Sequence, residues 1–270
     1  TGLRLEIGPV AVRDVRRPRA VALDPSHFTD DPSAVVDDPS VDVVVELIGG
    51  TGIARELILK AISKGKHVVT ANKSLLAKHG NEIFAAAHEK GVMVTFEAAV
   101  AGGIPIVKAI REGLTANRIQ WVAGIINGTT NFILSEMRSR GLPFDTVLAE
   151  AQRLGYAEAD PTFDIEGVDA AHKLTLLASL AFHTMFPLDA VKCEGITGIT
   201  SADIDAAKDT GFVIKLLAIA EKQPTKDGGE GVSVRVHPTL LPRTHPLAAV
   251  HGTFNAVFVE AENAGELMFY

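Results

Sequence analysis

Residues 41–50 read VDVVVELIGG, a short valine-rich run that ends on two glycines. An apolar run of this length suits a strand buried on both faces, as in a parallel sheet. Outward from it, Ala54 to Ser63 carries apolar residues at helical spacing and stops at Gly65. His67 to Thr70 reads as the next strand, Asn81 to Glu89 as a helix closed by Gly91, and Val92 to Phe96 as a further strand. Upstream, Pro9 to Asp14 reads as an earlier strand. Strands alternating with helices at this spacing predict βαβ units with right-handed crossovers, hence a doubly wound α/β domain.

After Gly102-Gly103 the pattern changes. Ile104 to Gly113 starts a helix with Pro105 in its first turn. Residues 118–126 read as a strand, and helices are expected over Asn131 to Ser139, Phe144 to Leu154, Asp169 to Phe182 and Phe212 to Glu221. Ser233 to Pro238 and Asn255 to Glu260 alternate like strands with one solvated face, and the DGGEG stretch at 227–231 is a surface turn. This half reads as α+β on a mixed or antiparallel sheet.

The 270 residues suffice for one large domain or two modest ones, and 47% hydrophobic content supplies a core. The net charge of −7 argues against a nucleic-acid surface as the main role. The single Cys193 excludes an intramolecular disulfide and a cysteine-based zinc site, and suits a reducing compartment. No run reaches 18 apolar residues, and the N-terminus lacks a basic start followed by an apolar stretch. The expectation is a cytoplasmic globular protein with a small-molecule substrate and neither nucleic-acid nor membrane partners.

In a doubly wound sheet, ligands bind beyond the carboxyl ends of the strands. Two such ends stand out: Gly49-Gly50, and Thr70-Ala71-Asn72-Lys73. Glycines there admit a close ligand and a lysine can face a phosphate or a reacting oxygen; a tight turn with a solvated lysine carries about equal weight. Glu97 closes a strand before an irregular glycine loop, a donor set for a hard cation, although a hinge with a hydrogen-bonded carboxylate is the preferred reading from spacing. In Asn127-Gly128-Thr129-Thr130-Asn131, Thr130 or Asn131 can cap the following helix, and the free amides there can also meet an anion.

The stretch 155–173, GYAEADPTFDIEGVDAAHK, is the most informative. Glu158, Asp160 and Asp164 fall in a proline-containing loop, and Asp169 and Lys173, four apart at the start of an apolar helix, share one face. An acid paired with a lysine beside a pocket positions the ammonium for proton transfer, while other carboxylates there can bind a substrate's amino group. An exposed helix pair beside a solvated turn is the plainer alternative. The nine histidines form no ligand pair, and no nucleophile-elbow, Walker or kinase motif occurs.

These strings, with FEAAVAGGIPIV, GIINGTTNFIL, SVRVHPTLLP and FNAVFVE, resemble homoserine dehydrogenase in order and spacing from about residue 41 to 270. The resemblance implies a Rossmann-like dinucleotide-binding domain over 1–103, a catalytic domain over 104–231, and dimerisation strands over 232–270. It implies NADP- or NAD-dependent interconversion of L-aspartate 4-semialdehyde and L-homoserine, a step toward threonine, methionine and isoleucine, by a homodimer. By motif match Lys173 is the proton donor, Lys73 a second catalytic lysine, and Asp169 orients Lys173. Glu158 and Asp164 serve the substrate, with Gly128, Thr129 and Tyr156 beside it. Gly49, Gly50, Thr70, Asn72 and Lys73 hold the cofactor, and Glu97 with backbone groups of Val100, Gly102 and Ile104 matches a sodium site.

Two departures accompany the match. The G-x-G-x-x-G turn that opens such a domain is absent from this sequence, and the chain stops at GELMFY, before the family's glycine-rich segment and closing helix. The first puts cofactor affinity in question more than membership. Asp14, at an expected strand end, can meet a ribose hydroxyl, and Arg13, Arg16 or Arg17 a 2′-phosphate; the arginines favour NADP. Two alternatives remain open: a related amino-acid-pathway reductase, which a substrate panel separates, and a non-catalytic dimerisation or ligand-binding fragment, which loss of NADPH binding with retained dimerisation would favour.

Overall fold

The computed structural model describes residues 2 and 4–270. The chain divides into two compact units, one ending at Phe96 and the other spanning Glu97–Tyr270. Its α/β architecture follows the alternation of the sequence. No helix among the described residues is long and apolar enough to cross a membrane.

The first unit contains β1 (Val10–Ala11), β2 (Phe28–Thr29), α1 (Pro32–Asp37), β3 (Val43–Glu46), α2 (Ile53–Ser63), β4 (His67–Thr70), α3 (Lys73–Lys90) and β5 (Val94–Thr95). Strands β3, β4 and β5 form a parallel sheet in that order, with Val44 opposite Val68 and Val68 opposite Val94. Strands β1 and β2 pair parallel in a separate ribbon. The Pro9–Asp14 strand is thus only two residues long, and Asp14 lies in the loop after it. The valine run is also not buried on both faces: Val44 and Glu46 point inward, while Val43 and Val45 are exposed. Helix α3 begins eight residues before the expected Asn81, because Asn72 caps it by accepting from the Leu75 amide. Its end is as expected, at Gly91 in the left-handed conformation with φ 67°.

The second unit contains α4 (Ile106–Lys108), which runs on as a π-turn through Gly113, then β6 (Ile119–Ile125), α5 (Gly128–Arg140), α6 (Phe144–Arg153), α7 (Thr162–Ile165), α8 (Val168–Phe182), β7 (Lys192–Cys193), α9 (Ser201–Asp209), β8 (Phe212–Pro224), β9 (Glu230–Pro242), β10 (Ala256–Ala261) and β11 (Gly265–Phe269). Its sheet has the order β11-β10-β6-β8-β9-β7, antiparallel except at the β7–β9 edge. Strand β9 runs through the expected boundary at 231/232 and pairs along its whole length with β8.

The segment expected as a helix over Phe212 to Glu221 is strand β8. It is buried without alternation from Val213 to Ala220, and the sequence there is apolar at every position but Lys215. Such a run has no period to distinguish strand from helix. One core cluster gathers Ala123, Ile125, Leu217, Val250 and Phe258 from four segments, with Trp121 packed edge-on against Phe258 at 5.3 Å between ring centres. Helix α8 packs on β6, β8 and β9. That packing fixes the end of β6 against the start of α8.

Candidate active site

In the second unit the chain leaves β6 at Ile126 and turns into α5 through Asn127, whose side chain caps the helix by accepting from the Thr130 amide at 2.9 Å. The cap is therefore Asn127 rather than Thr130 or Asn131. Gly128 follows because nothing larger fits. A Cβ there would lie 2.7 Å from the Thr253 carbonyl oxygen.

The Asn127 amide serves a second purpose. Its Nδ2 donates to Asp164 Oδ1 at 2.7 Å and to Asp169 Oδ2 at 2.9 Å. Both carboxylates are thereby held by one neutral group. Asp164 lies in the one-turn helix α7 rather than in a loop, and Asp169 in the first turn of α8, where the helix dipole favours an anion. Gly167, with φ 78°, makes the turn between the two helices.

Lys173 lies one turn after Asp169. Its Nζ donates to Asp169 Oδ2 at 2.6 Å and to the Ile126 carbonyl at 2.7 Å. Asp169 is buried, while the Lys173 side chain keeps a sixth of its surface exposed. An acid four residues before a lysine is the favourable order on a helix, and low local dielectric strengthens the pair. Two of the three Nζ–H bonds are committed, leaving one for another oxygen.

Thr129 completes the cluster. Its hydroxyl donates to the Tyr156 carbonyl at 2.6 Å, with Asp164 Oδ2 farther off at 3.4 Å. Tyr156 contributes that carbonyl, while its ring packs edge-on against Phe132 at 5.0 Å. Glu158 is exposed. Only its backbone carbonyl is engaged, by Gln152, and its carboxylate has no protein partner among the described residues. Asp160 turns back on the Thr162 amide and hydroxyl, whose hydrogen bonds hold its carboxyl below the ordinary value.

The first unit organises a separate loop beyond β3 and β4. The buried Glu46 carboxylate accepts from the Ile48 and Gly49 amides at 2.8 and 2.9 Å and from the Thr70 hydroxyl at 2.7 Å. Thr70 Oγ1 accepts the Asn72 amide, and Asn72 Nδ2 donates to the Gly50 carbonyl at 2.8 Å. Gly49 and Gly50 have φ of 80° and 72°, and nothing lies within 4 Å of a Cβ built on either. The two glycines leave the backbone open to solvent at the carboxyl ends of the strands. Lys73 follows as the first residue of α3. Arg13 and Asp14 are exposed in the loop after β1, where Asp14 accepts the Arg16 amide.

Glu97 accepts from the Val107 and Lys108 amides at 2.8 and 3.0 Å, so its carboxylate anchors the start of α4. Between them the chain reverses at Ala101 and Gly102, both left-handed with φ of 55° and 60°. The reading from residues overlooked Glu46 and did not single out Asn127 as a bridge. The signal for Glu46 was a carboxylate set within an apolar run, with Leu47 and Ile48 following it.

Two family models cover this chain: one described as homoserine dehydrogenase, NAD binding domain, over residues 2–97, and one described as homoserine dehydrogenase over residues 105–270. The chain belongs to the homoserine dehydrogenase family. Homoserine dehydrogenase of Pseudomonas aeruginosa is 56% identical over 269 residues, spanning 100% of this chain and 60% of the relative. That of Corynebacterium glutamicum is 54% identical over 98% of this chain and 60% of the relative. The chain therefore spans about three-fifths of the length of these relatives. Among solved structures, a homoserine dehydrogenase from Thiobacillus denitrificans superposes with a TM-score of 0.86 at 61% identity, covering 90% of this chain and 55% of that one. A hyperthermophilic archaeal homoserine dehydrogenase in complex with NADPH gives 0.74 at 28% identity, covering 88% and 68%.

Proposed function

We propose that this chain carries the homoserine dehydrogenase reaction, the interconversion of L-aspartate 4-semialdehyde and L-homoserine with NADP or NAD. The observation that carries the reading is the Asp169–Lys173 pair, its carboxylate buried and its ammonium half-buried with one N–H remaining, in a chain whose relatives bear that name.

Reduction of an aldehyde leaves negative charge on its oxygen. A lysine ammonium beside that oxygen stabilises the charge as it grows and then gives up a proton. Asp169 and the Ile126 carbonyl hold the Lys173 Nζ from two sides, which fixes the direction of its third N–H. In oxidation the same nitrogen takes the hydroxyl proton. Asn127 donates to both Asp164 and Asp169, so one neutral amide bridges the two carboxylates. The carboxylates of Glu158 and Asp164 would receive the substrate's ammonium group, with Gly128, Thr129 and Tyr156 alongside. Lys73, from its TANK motif, is the second catalytic lysine.

The loop beyond β3 and β4 suits a dinucleotide, because an unfilled Cβ position at Gly49 and at Gly50 lets backbone approach a ligand. Gly49, Gly50, Thr70, Asn72 and Lys73 would hold it, with Asp14 at a ribose hydroxyl and Arg13 at a 2′-phosphate. The nicotinamide supplies or accepts the hydride. Glu97 and the backbone oxygens of Val100, Gly102 and Ile104 are hard donors suited to sodium, although the Glu97 carboxylate also takes two amides. The working form is a cytoplasmic homodimer, and the product serves threonine, methionine and isoleucine synthesis.

The test is homoserine-dependent reduction of NADP and of NAD by the purified chain. The reading expects activity with homoserine over other short hydroxy amino acids. A folded chain that reduces neither nicotinamide with homoserine contradicts it.

A further inference from the structure

Away from the Asp169–Lys173 cluster, strand β8 carries a buried lysine. Lys215 is 1% exposed, and no carboxylate partners it among the described residues. Its Nζ donates to Asn131 Oδ1 at 2.9 Å, weakly to Ser135 Oγ at 3.4 Å, and to the Val250 carbonyl. Neutral oxygens do not cancel the charge of a buried ammonium.

The lysine is one of the residues lining a cavity of about 280 Å³. The polar groups around it are Ser135, Arg138 and Ser139 of α5, Lys208 of α9, and His251. All its ionisable lining groups are basic, and none is a carboxylate. Glu136 of α5 and Glu150 of α6 are engaged elsewhere, both pairing with Arg140. Arg138 Nε is buried without a hydrogen-bond partner among the described residues. Ser135 accepts from Lys215, and its own hydrogen remains to be donated.

We propose that this cavity binds a phosphate group, free or as a small phosphate monoester. An arginine fork, a lysine and serine hydroxyls are the donor set that phosphate oxygens take. The volume is below the roughly 300 Å³ at which drug-sized sites begin, which suits a small ester and excludes a dinucleotide. Mutual repulsion supports the reading. Burial, and secondarily the Arg138 charge, pushes Lys215 down to about 8. Burial, then the charges of Lys215 and Arg138, holds His251 below its ordinary value. An anion among these groups favours the charged forms of Lys215 and His251, which burial and like charge disfavour.

The experiment is isothermal titration of the chain with inorganic phosphate and, in a parallel arm, with glycerol phosphate at pH 8. The expected result is saturable one-to-one binding with proton uptake, seen as a heat that changes with the buffer's ionisation enthalpy. Lys208→Met, an exposed change that leaves the fold intact, should weaken binding at least tenfold, and Arg138→Met should do the same. Tighter binding in the glycerol phosphate arm identifies an ester as the natural ligand, and equal binding identifies free phosphate. Absence of saturable binding, or binding that survives both substitutions, overturns the proposal.

Discussion

Lys173 Nζ lies 2.6 Å from Asp169 Oδ2, one helical turn away, in a chain where Asn127 from another element donates to the same oxygen. The carboxylate thus receives a charged donor and a neutral one, and holds a cation that is neither fully buried nor freely mobile. Substituting Asp169 by Asn removes the anion while keeping the shape. The expected result is a loss of about 1–3 kcal/mol in stability from the disrupted buried network, with a larger loss in kcat than in substrate affinity. Urea unfolding and steady-state kinetics measure the two. Unchanged kcat in a folded Asp169→Asn protein would remove Asp169 from the mechanism.

Glu158 contrasts with Asp164. Its exposed carboxylate makes no protein contact among the described residues, so its removal should leave the fold untouched. If it receives the substrate's ammonium, Glu158→Gln should raise the homoserine KM about ten- to a hundredfold, since a hydrogen bond to a charged group contributes roughly 1.5–3 kcal/mol. Thermal stability should stay within about 0.5 kcal/mol of the parent. An unchanged KM contradicts the role.

Gly128 tests the geometry of the β6–α5 turn. Alanine has the better helix propensity by up to about 1 kcal/mol, which alone predicts stabilisation. Its Cβ would meet the Thr253 carbonyl at 2.7 Å, a backbone atom that cannot swing aside. Overpacking costs about 1–3 kcal/mol, so the clash wins and Gly128→Ala should lower the urea midpoint. A raised midpoint would show that the turn relaxes freely.

Lys215 predicts a pH dependence of stability. Its folded value of about 8 is below the ordinary 10.5 of a lysine, so between these values the unfolded chain binds more protons than the folded one. Stability from this group therefore rises as pH increases from about 8 toward 10.5, by an amount of order 3 kcal/mol. Urea unfolding of the parent and of Lys215→Met should show the parent gaining on the variant over that range in phosphate-free buffer. A constant difference contradicts the buried, anion-free state of the ammonium.

Much of this arrangement is legible locally. Asp169 and Lys173 are four apart, so their pairing follows from helix geometry, and Gly91 stops α3 where its conformational freedom is needed. Asn127 is different: its partners lie 37 and 42 residues along the chain, a relation that only the packing of α8 against β6 creates. Lys215 is hidden for the same reason, since its acceptors Asn131 and Val250 come from separate segments. Strand β8 is misread as a helix because burial on both faces removes the alternation that marks a strand. The family motifs pointed to the Asp169–Lys173 stretch, but the bridging position of Asn127 and the tie that Glu46 makes to Thr70 needed the fold.

The central claim is that Lys173 moves the proton. The most direct measurement is kcat for homoserine oxidation by Lys173→Ala beside the dissociation constant for NADPH of the same protein. The account predicts that kcat falls by about 10²- to 10⁴-fold, the usual contribution of a positioned acid or base, while NADPH affinity changes less than about threefold. Parallel losses in both, or a retained kcat, would contradict it.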